Sequence, residues 1–305
     1  MKTVTLNTDA QMPVMGLGTF LSAAGTVYQA VRWAIKLGYK HIDCASVYGN
    51  EAEIGQALHD AFAEGDAKRE ELFITSKLWN DSHKMEDVRP ALEKTLKDLQ
   101  LDYVDLYLMH WPVAQAKGTE MPEKDEDWIP LSEVPLWETW SEMEKLYNEG
   151  KAKAIGVSNF TAEKLEKLIE KTQISPAVNQ VECHPLLSQQ ELIESCRKNN
   201  VVVTAYSPLG AERSDGSLLK NEVINEIAKR NQITPAQVLL AWNIARGLVV
   251  IPKSTHEERL RENYASLAVE LDKADIEKID LLNENHRFFD GEAFVNPSKE
   301  YDSIF

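Results

Sequence analysis

The 305-residue sequence predicts one (β/α)8 TIM barrel spanning residues 1–305 as a single domain. Three observations carry that reading. Short β-branched runs alternate with longer amphipathic segments, the runs number eight, and no internal repeat or Pro/Gly/Ser-rich linker divides the chain. Strands that alternate with single helices imply right-handed βαβ crossovers and a parallel sheet. Eight such units suit a closed barrel, which commonly takes about 250 residues or more. Periodicity alone does not show closure.

Element by element, a first strand is expected near 14–18, followed by strands at 41–43, 72–77, 104–110, 154–158, 177–182, 201–207 and 248–251. Several are continuous apolar runs, as strands buried on both faces are. Between them, Val27, Val31, Ala34 and Ile35 line one helix face, and Gly38 stops that helix. Met85, Val88, Leu92, Leu96 and Leu99 line a second face. Leu136, Trp140, Met143 and Tyr147 line a third, which ends near Gly150. Ser188 with Glu191, and Thr234 with Gln237, have the spacing of capping boxes, and Pro235 suits a first helical position. Two stretches exceed an ordinary loop: 112–130, which carries Trp128, and the tail 285–305, which carries Phe288, Phe289 and Phe294. Both are expected at the active-site face as lids or substrate-pocket walls.

Composition narrows the function. Hydrophobic residues make up 43% of the chain, and 33 basic against 49 acidic residues give a charge of −16. That balance argues against nucleic acid or an anionic membrane as partner, since both need clustered Lys and Arg. Cys44, Cys183 and Cys196 lack CxxC spacing and suit reduced thiols. Glu182-Cys183-His184 resembles half a metal site, but no second Cys/His pair accompanies it, and no metal is expected. No signal-peptide run opens the sequence, and no stretch approaches the roughly 18 apolar residues of a membrane span. A cytoplasmic monomer acting on a small molecule is expected.

In a parallel barrel the working residues sit at the C-terminal ends of the strands. Those positions hold Asp43, Lys77 and His110 on adjacent strands, with Tyr48 in the loop after Asp43. The four suit carbonyl reduction. Hydride addition to a carbonyl leaves an alkoxide that needs a proton. A phenol with an ordinary pKa of about 10 is a weak acid, and a nearby ammonium lowers that value. Tyr48 beside Lys77 would be the general acid, Asp43 would hold Lys77 charged, and His110 would orient the carbonyl oxygen.

The surrounding motifs identify a family. Gly16-Leu17-Gly18-Thr19-Phe20, His41-Ile42-Asp43-Cys44-Ala45-Ser46-Val47-Tyr48-Gly49-Asn50-Glu51 and Ser76-Lys77-Leu78-Trp79 resemble the aldo-keto reductases. So do Leu108-Met109-His110-Trp111-Pro112, Gly156-Val157-Ser158-Asn159-Phe160 and Ile251-Pro252-Lys253-Ser254, in order along nearly the whole chain. The resemblance implies a catalytic tetrad of Asp43, Tyr48, Lys77 and His110 and an NADP(H) site that includes Gly18, Thr19 and Asp43. It implies that Ser158, Asn159 and Gln180 bond the nicotinamide carboxamide and that Tyr206 stacks on the ring. Asn and Gln do offer the donor and acceptor that a carboxamide needs. It further implies that Ser207 and Leu209 touch the pyrophosphate through a loop that closes over the cofactor.

Gly16-Leu17-Gly18 starts like a dinucleotide fingerprint, but Leu21 stands where the third glycine would be. Lys253, Ser254, Thr255 and Arg259 instead offer two cations and two hydroxyls near a helix start, a phosphate site in physical terms. In the family the matching group holds the adenosine 2′-phosphate, and Glu262 and Asn263 match adenine contacts. Glu257 and Glu258 interrupt the basic group, so NADPH is expected with NADH as a weaker alternative. Phe20 occupies a position where many relatives carry Trp, and it is expected to wall the substrate pocket with Trp79, Trp111, Tyr48 and His110. Two other readings are an NADP-linked polyol dehydrogenase with the same tetrad and a cofactor-binding protein with little turnover, as in the channel subunits and lens proteins of this family.

Overall fold

A computed structural model describes residues 2–210 and 217–305. Eight parallel strands follow one another around a sheet in sequence order. They are β1 (Leu17–Gly18), β2 (His41–Asp43), β3 (Phe73–Leu78), β4 (Leu106–Met109), β5 (Ile155–Ser158), β6 (Val178–Glu182), β7 (Val202–Tyr206) and β8 (Val249–Val250). Parallel bridges Met15↔Val250 and Gly18↔Lys253 join the last strand to the first. The Gly16 N–H donates to the Val250 carbonyl at 2.8 Å, and Val250 donates to Val14 at 2.9 Å, which closes the barrel. This seam explains the glycine of β1. A Cβ on Gly18 would lie 2.6 Å from the Ile251 carbonyl oxygen. The Gly-Leu-Gly sequence therefore serves barrel closure, not a phosphate-binding turn.

The expected strands all form, each within two or three residues of its expected bounds. The helices bury the faces that their spacing marks. In α1 (Val27–Leu37), Val27, Val31, Ala34 and Ile35 are buried, and left-handed Gly38 (φ 103°) donates to the Ala34 and Ile35 carbonyls. Next come α2 (Glu51–Ala63), α3 (Met85–Leu99) and α4 (Leu136–Asn148). In α3, Val88, Leu92 and Leu99 are buried, while Met85 at the helix start stays exposed. Trp140 and Met143 of α4 are buried, and Leu136 and Tyr147 only partly so. Thr234 and Gln237 form the capping box of the helix Pro235–Ala245. Ser188 and Glu191 do not form one. Gln189 adopts a left-handed conformation before the helix Gln190–Lys198. The turn is set by distant partners instead: Ser188 donates to Asn283 Oδ1 at 3.0 Å and accepts from Arg246 at 2.6 Å.

An N-terminal hairpin is among the elements outside the sequence reading. Thr3–Thr5 and Gln11–Pro13 pair as an antiparallel hairpin. Leu6 and Met12 on it pack against Phe73, Leu106, Ala154, Val178 and Val249, and so cover the floor of the barrel. The segment 112–130 is not irregular throughout, because Ala114–Gln115 and Trp128–Ile129 pair as a second hairpin. Among the described residues no helix is long and apolar enough to cross a membrane.

Burial also sets a pH response. Desolvation holds His41 down at about 4, with the Lys77 charge adding to it against Asp43, and holds His83 down at about 3. Both imidazoles are neutral in the fold. Their contribution is complete above the unfolded value of about 6.5. As pH falls through that value the unfolded chain binds protons that the fold does not, so stability drops until the folded values are reached. Calorimetry should show Tm falling steeply from about pH 6.5 to about pH 4, with a shallower fall in His83→Gln. A flat Tm across that window would contradict the assignment.

Candidate active site

Asp43 ends β2, Lys77 is the penultimate residue of β3, and His110 follows β4 directly. Tyr48 sits on a single 3-10 turn, Ser46–Tyr48, between β2 and α2. All four converge at the same end of the barrel. The Lys77 ammonium is fully buried and donates to Asp43 Oδ1, to the Cys44 carbonyl at 2.8 Å and to the Tyr48 hydroxyl at 3.4 Å. The second Asp43 oxygen accepts from Gln180 Nε2 at 2.7 Å. The His110 ring lies edge-on to Tyr48 at 5.8 Å and to Trp79 at 5.1 Å.

The electrostatics follow from this packing. Burial opposes the charge on Lys77, but Asp43 and the Tyr48 oxygen outweigh it, and the ammonium is pushed up to about 12. Tyr48 departs from expectation. Burial raises its pKa by more than Lys77 lowers it, so the phenol stays protonated above its ordinary range. Burial, aided by Lys77, holds His110 well below its usual value. A neutral imidazole has one N–H to give, so His110 suits orienting a carbonyl oxygen better than protonating it. The arrangement places a protonated phenol, backed by a permanent cation, beside a neutral hydrogen-bonding ring.

Ser158, Asn159, Gln180 and Tyr206 form one network beside the tetrad. Ser158 Oγ donates to the Gln180 carbonyl at 2.8 Å. Asn159 Nδ2 donates to the His110 carbonyl at 3.0 Å, and its Oδ1 accepts from the Tyr206 hydroxyl at 2.8 Å. Asn159 is left-handed (φ 63°), a conformation that Asn tolerates better than most residues. Thr19 Oγ1 donates to the Asp43 carbonyl at 2.8 Å, which ties β1 to the site. Ser207 (φ 46°) accepts at its carbonyl from Gly210 at 2.9 Å, and Leu209 packs half-buried on the core. The loop expected to close over a cofactor runs into 211–216, outside the described residues.

Lys253, Ser254 and Thr255 lie between β8 and the helix Glu257–Ala265, and Arg259 lies in its first turn. Lys253 and Arg259 are exposed, and among the described residues neither forms an ion pair, whereas Arg261 pairs with Glu257 at 2.9 Å. Two cations without an ion pair among the described residues, at a helix N-terminus, suit a phosphate. Glu262 has a second tie: its carboxylate accepts from Thr234 Oγ1 at 2.5 Å, while Asn263 beside it is buried.

The residues expected to wall a substrate pocket lie in aromatic contact around the tetrad. Phe20, 43% exposed, lies 5.0 Å from the Tyr48 ring. Trp79 donates its indole N–H to Thr119 at 3.1 Å, and Trp111 packs on Phe294 at 4.9 Å. Trp128 anchors the tail by donating to the Phe294 carbonyl at 2.9 Å. Tyr301 adds a bond to Ile129 at 2.8 Å and accepts from Ala114 at 2.9 Å. Asp125 accepts from Ser298 Oγ at 2.7 Å and pairs with Lys299 at 3.2 Å.

Glu182-Cys183-His184, which in sequence resembles half a metal site but is not expected to hold a metal, has a structural use. Glu182 is fully buried and accepts from His184 Nε2 at 2.7 Å and from the Phe288 and Phe289 N–H groups at 2.8 and 2.9 Å. It mounts the start of the tail beside Tyr206, whose ring Phe289 meets at 5.8 Å. Only the proximity of an acid and a histidine signalled this; the tail partners are too distant in sequence to read.

The profile of the aldo/keto reductase family matches residues 14–284. The chain belongs to that family. An aldo/keto reductase of Synechocystis is 46% identical over 309 residues, covering 99% of this chain and 94% of that one. Aldo-keto reductase family 4 member C11 of Arabidopsis thaliana is 48% identical over 294 residues, covering 95% and 92%. Aldo-keto reductase family 1 member A1 of Rattus norvegicus is 43% identical over 293 residues, covering 93% and 90%. The solved aldose reductase of Schistosoma japonicum superposes with a TM-score of 0.92 at 40% identity, covering 100% of this chain and 98% of that one. Membership of the aldo/keto reductases makes the chain an oxidoreductase, and these relatives support carbonyl reduction as its chemistry.

Proposed function

We propose that the protein reduces aldehydes, and some ketones, to alcohols with NADPH, and that Tyr48 is the general acid. The observation that carries this is the buried line from Asp43 through Lys77 to the Tyr48 hydroxyl, with neutral His110 beside it. The residues fit a nicotinamide dinucleotide. Amide and hydroxyl groups gather at Ser158, Asn159 and Gln180, Tyr206 offers a ring, Gly18, Thr19 and Asp43 border the site, and Ser207 and Leu209 lead toward the pyrophosphate. Lys253 and Arg259 stand without counterions among the described residues, where Ser254 and Thr255 would add hydroxyls for a 2′-phosphate, and Glu262 and Asn263 would contact the adenine. When bound, the cofactor supplies the hydride.

The chain supplies the rest. His110 and Tyr48 donate hydrogen bonds to the carbonyl oxygen and orient it. As negative charge develops there, Tyr48 gives up its proton, and Lys77 stabilises the phenolate left behind. Asp43 keeps Lys77 charged throughout. Phe20, Trp79 and Trp111, with the 112–130 loop and the tail, would hold the apolar part of the aldehyde. The likeness to the solved aldose reductase of Schistosoma japonicum supports aldehyde substrates. The same reading has the protein act as a cytoplasmic monomer on small molecules, without nucleic-acid or membrane partners, with NADH as a weaker donor. The acidic balance of −16 supports the lack of nucleic-acid and anionic-membrane partners.

Oxidation of NADPH by the purified protein against a panel of aldehydes tests the reading, with NADH in parallel. Turnover faster with NADPH is expected, and no turnover on any aldehyde would overturn it. Lys253→Ala and Arg259→Ala should each weaken NADPH binding by about tenfold or more while changing NADH little, as for loss of one charge-assisted phosphate contact. Equal weakening of both cofactors would remove the 2′-phosphate assignment.

A further inference from the structure

We infer that Glu51 is a positioning residue that sets the spacing between Tyr48 and Lys77, acting through Ser76. The inference rests on the reading of Tyr48 as the acid. Glu51 is the first residue of α2 and lies three residues after Tyr48. It is only 4% exposed. Its Oε1 accepts from Ser76 Oγ at 2.6 Å and its Oε2 from Thr95 Oγ1 of α3 at 2.9 Å. Ser76 immediately precedes Lys77 on β3. Side chains alternate across a strand, so Ser76 faces the helices while Lys77 faces the barrel interior. One carboxylate therefore ties the end of the Tyr48 loop to the strand that carries Lys77.

The contact it governs is the one most open to change. Of the three bonds from the Lys77 ammonium, that to Tyr48 is the longest, at 3.4 Å. Between Tyr48 and Glu51 the chain passes through left-handed Gly49 (φ 67°). The loop's remaining ties are Ser46 Oγ to the Lys77 carbonyl at 3.2 Å and Asn50 Nδ2 to the Thr19 carbonyl at 3.0 Å. Burying a carboxylate against two hydroxyls, with no cation bonded to it among the described residues, is costly. The N-terminal turn of α2 offsets part of that cost. An apolar side chain would fill the same space more cheaply, but would remove the tie between the far end of the loop and Ser76 and leave the strand joined to the loop nearer its start, through Ser46 and Cys44.

Steady-state kinetics across pH separates positioning from mere support. The groups facing Tyr48 are Lys77, Asp43, Cys44, Tyr206 and His110. Those facing Glu51 are Ser76, Thr95, Lys94 and Asp98 of α2's neighbour α3, Cys44, and Tyr107 of β4. Ser76→Ala cuts the arm toward Lys77, and Thr95→Val cuts only the arm toward α3. Ser76→Ala should lower kcat for an aromatic aldehyde by about tenfold or more, since small misplacements near reacting atoms are costly. It should also move the alkaline limb of kcat to higher pH, because a phenol farther from the ammonium holds its proton more tightly. Thr95→Val should lower Tm while keeping the parent kcat and limb. Glu51→Gln, which retains an acceptor for Ser76, should stay within about threefold of the parent.

If Ser76→Ala and Thr95→Val both lower Tm and both keep the parent kcat and alkaline limb, Glu51 is only structural and the inference fails. It fails equally if both variants lose kcat alike. Tyr48→Phe measured alongside distinguishes the two levels. Turnover surviving in Tyr48→Phe would overturn the acid assignment and this inference with it. Loss of turnover in Tyr48→Phe beside a parent-like Ser76→Ala would overturn the inference alone.

Discussion

Tyr48→Phe should lose carbonyl reduction by about 10²- to 10⁴-fold in kcat, the range for removing a positioned general acid. Binding of NADPH, followed by quenching of tryptophan fluorescence, should stay near the parent. The substitution removes one oxygen and leaves the ring packed on Phe20 and His110. Because burial raises the Tyr48 pKa, the parent should reduce aldehydes at a steady rate through neutral pH and slow only in alkali, where the phenol ionises. Turnover within a few-fold of the parent in Tyr48→Phe would mean that the proton comes from elsewhere, and neutral His110 would be the next group to test.

Asp43→Ala should have the largest effect on the fold itself. It leaves the ammonium of Lys77 buried without its counterion, and breaking a buried pair from one side costs about 3–5 kcal/mol. Activity should fall as well, since burial alone pushes the Lys77 pKa down and takes from Tyr48 the cation that stabilises its phenolate. The pair has a pH signature. Lys77 is raised to about 12 in the fold, against about 10.4 in the unfolded chain. Its stabilisation is therefore complete below about pH 10.4 and is lost as pH rises through about 12. Urea unfolding at neutral pH measures the loss, and a difference under about 1 kcal/mol would show that Lys77 finds another partner or gives up its proton at little cost.

Much of the site was legible because strand order places it. Asp43, Lys77 and His110 are far apart in the chain, yet each stands where an apolar run ends, and a parallel barrel brings such ends to one rim. Tyr48 came with them because its loop is short. Direction of charge was less legible. The phenol's pKa depends on how deeply Phe20, His110 and Lys77 enclose it, which is a tertiary quantity. The N-terminal hairpin escaped notice because its strands are three residues long and Thr3, Thr5 and Gln11 give it a polar outer face. Ser188 misled because capping spacing is local, while Arg246 and Asn283 settle that turn from a distance. Glu51 stands in the sequence only as the end of a family motif and Glu182 only as part of an incomplete metal site, since the donors to both carboxylates come from other elements.

The tail and the 112–130 segment grip each other through Trp128, Asp125, Ile129 and Ala114, while Glu182 and Lys164 hold the start and the end of the tail to the barrel. They therefore behave as the two halves of one clasp. A chimaera that grafts a foreign tail alone would strand the buried Tyr301 partners and the Asp125 cluster, and would disturb the pocket without re-tailoring it. Exchanging both segments as a single cassette, with the tetrad and the seam at Gly18 untouched, is the route by which this scaffold would be given a different substrate range.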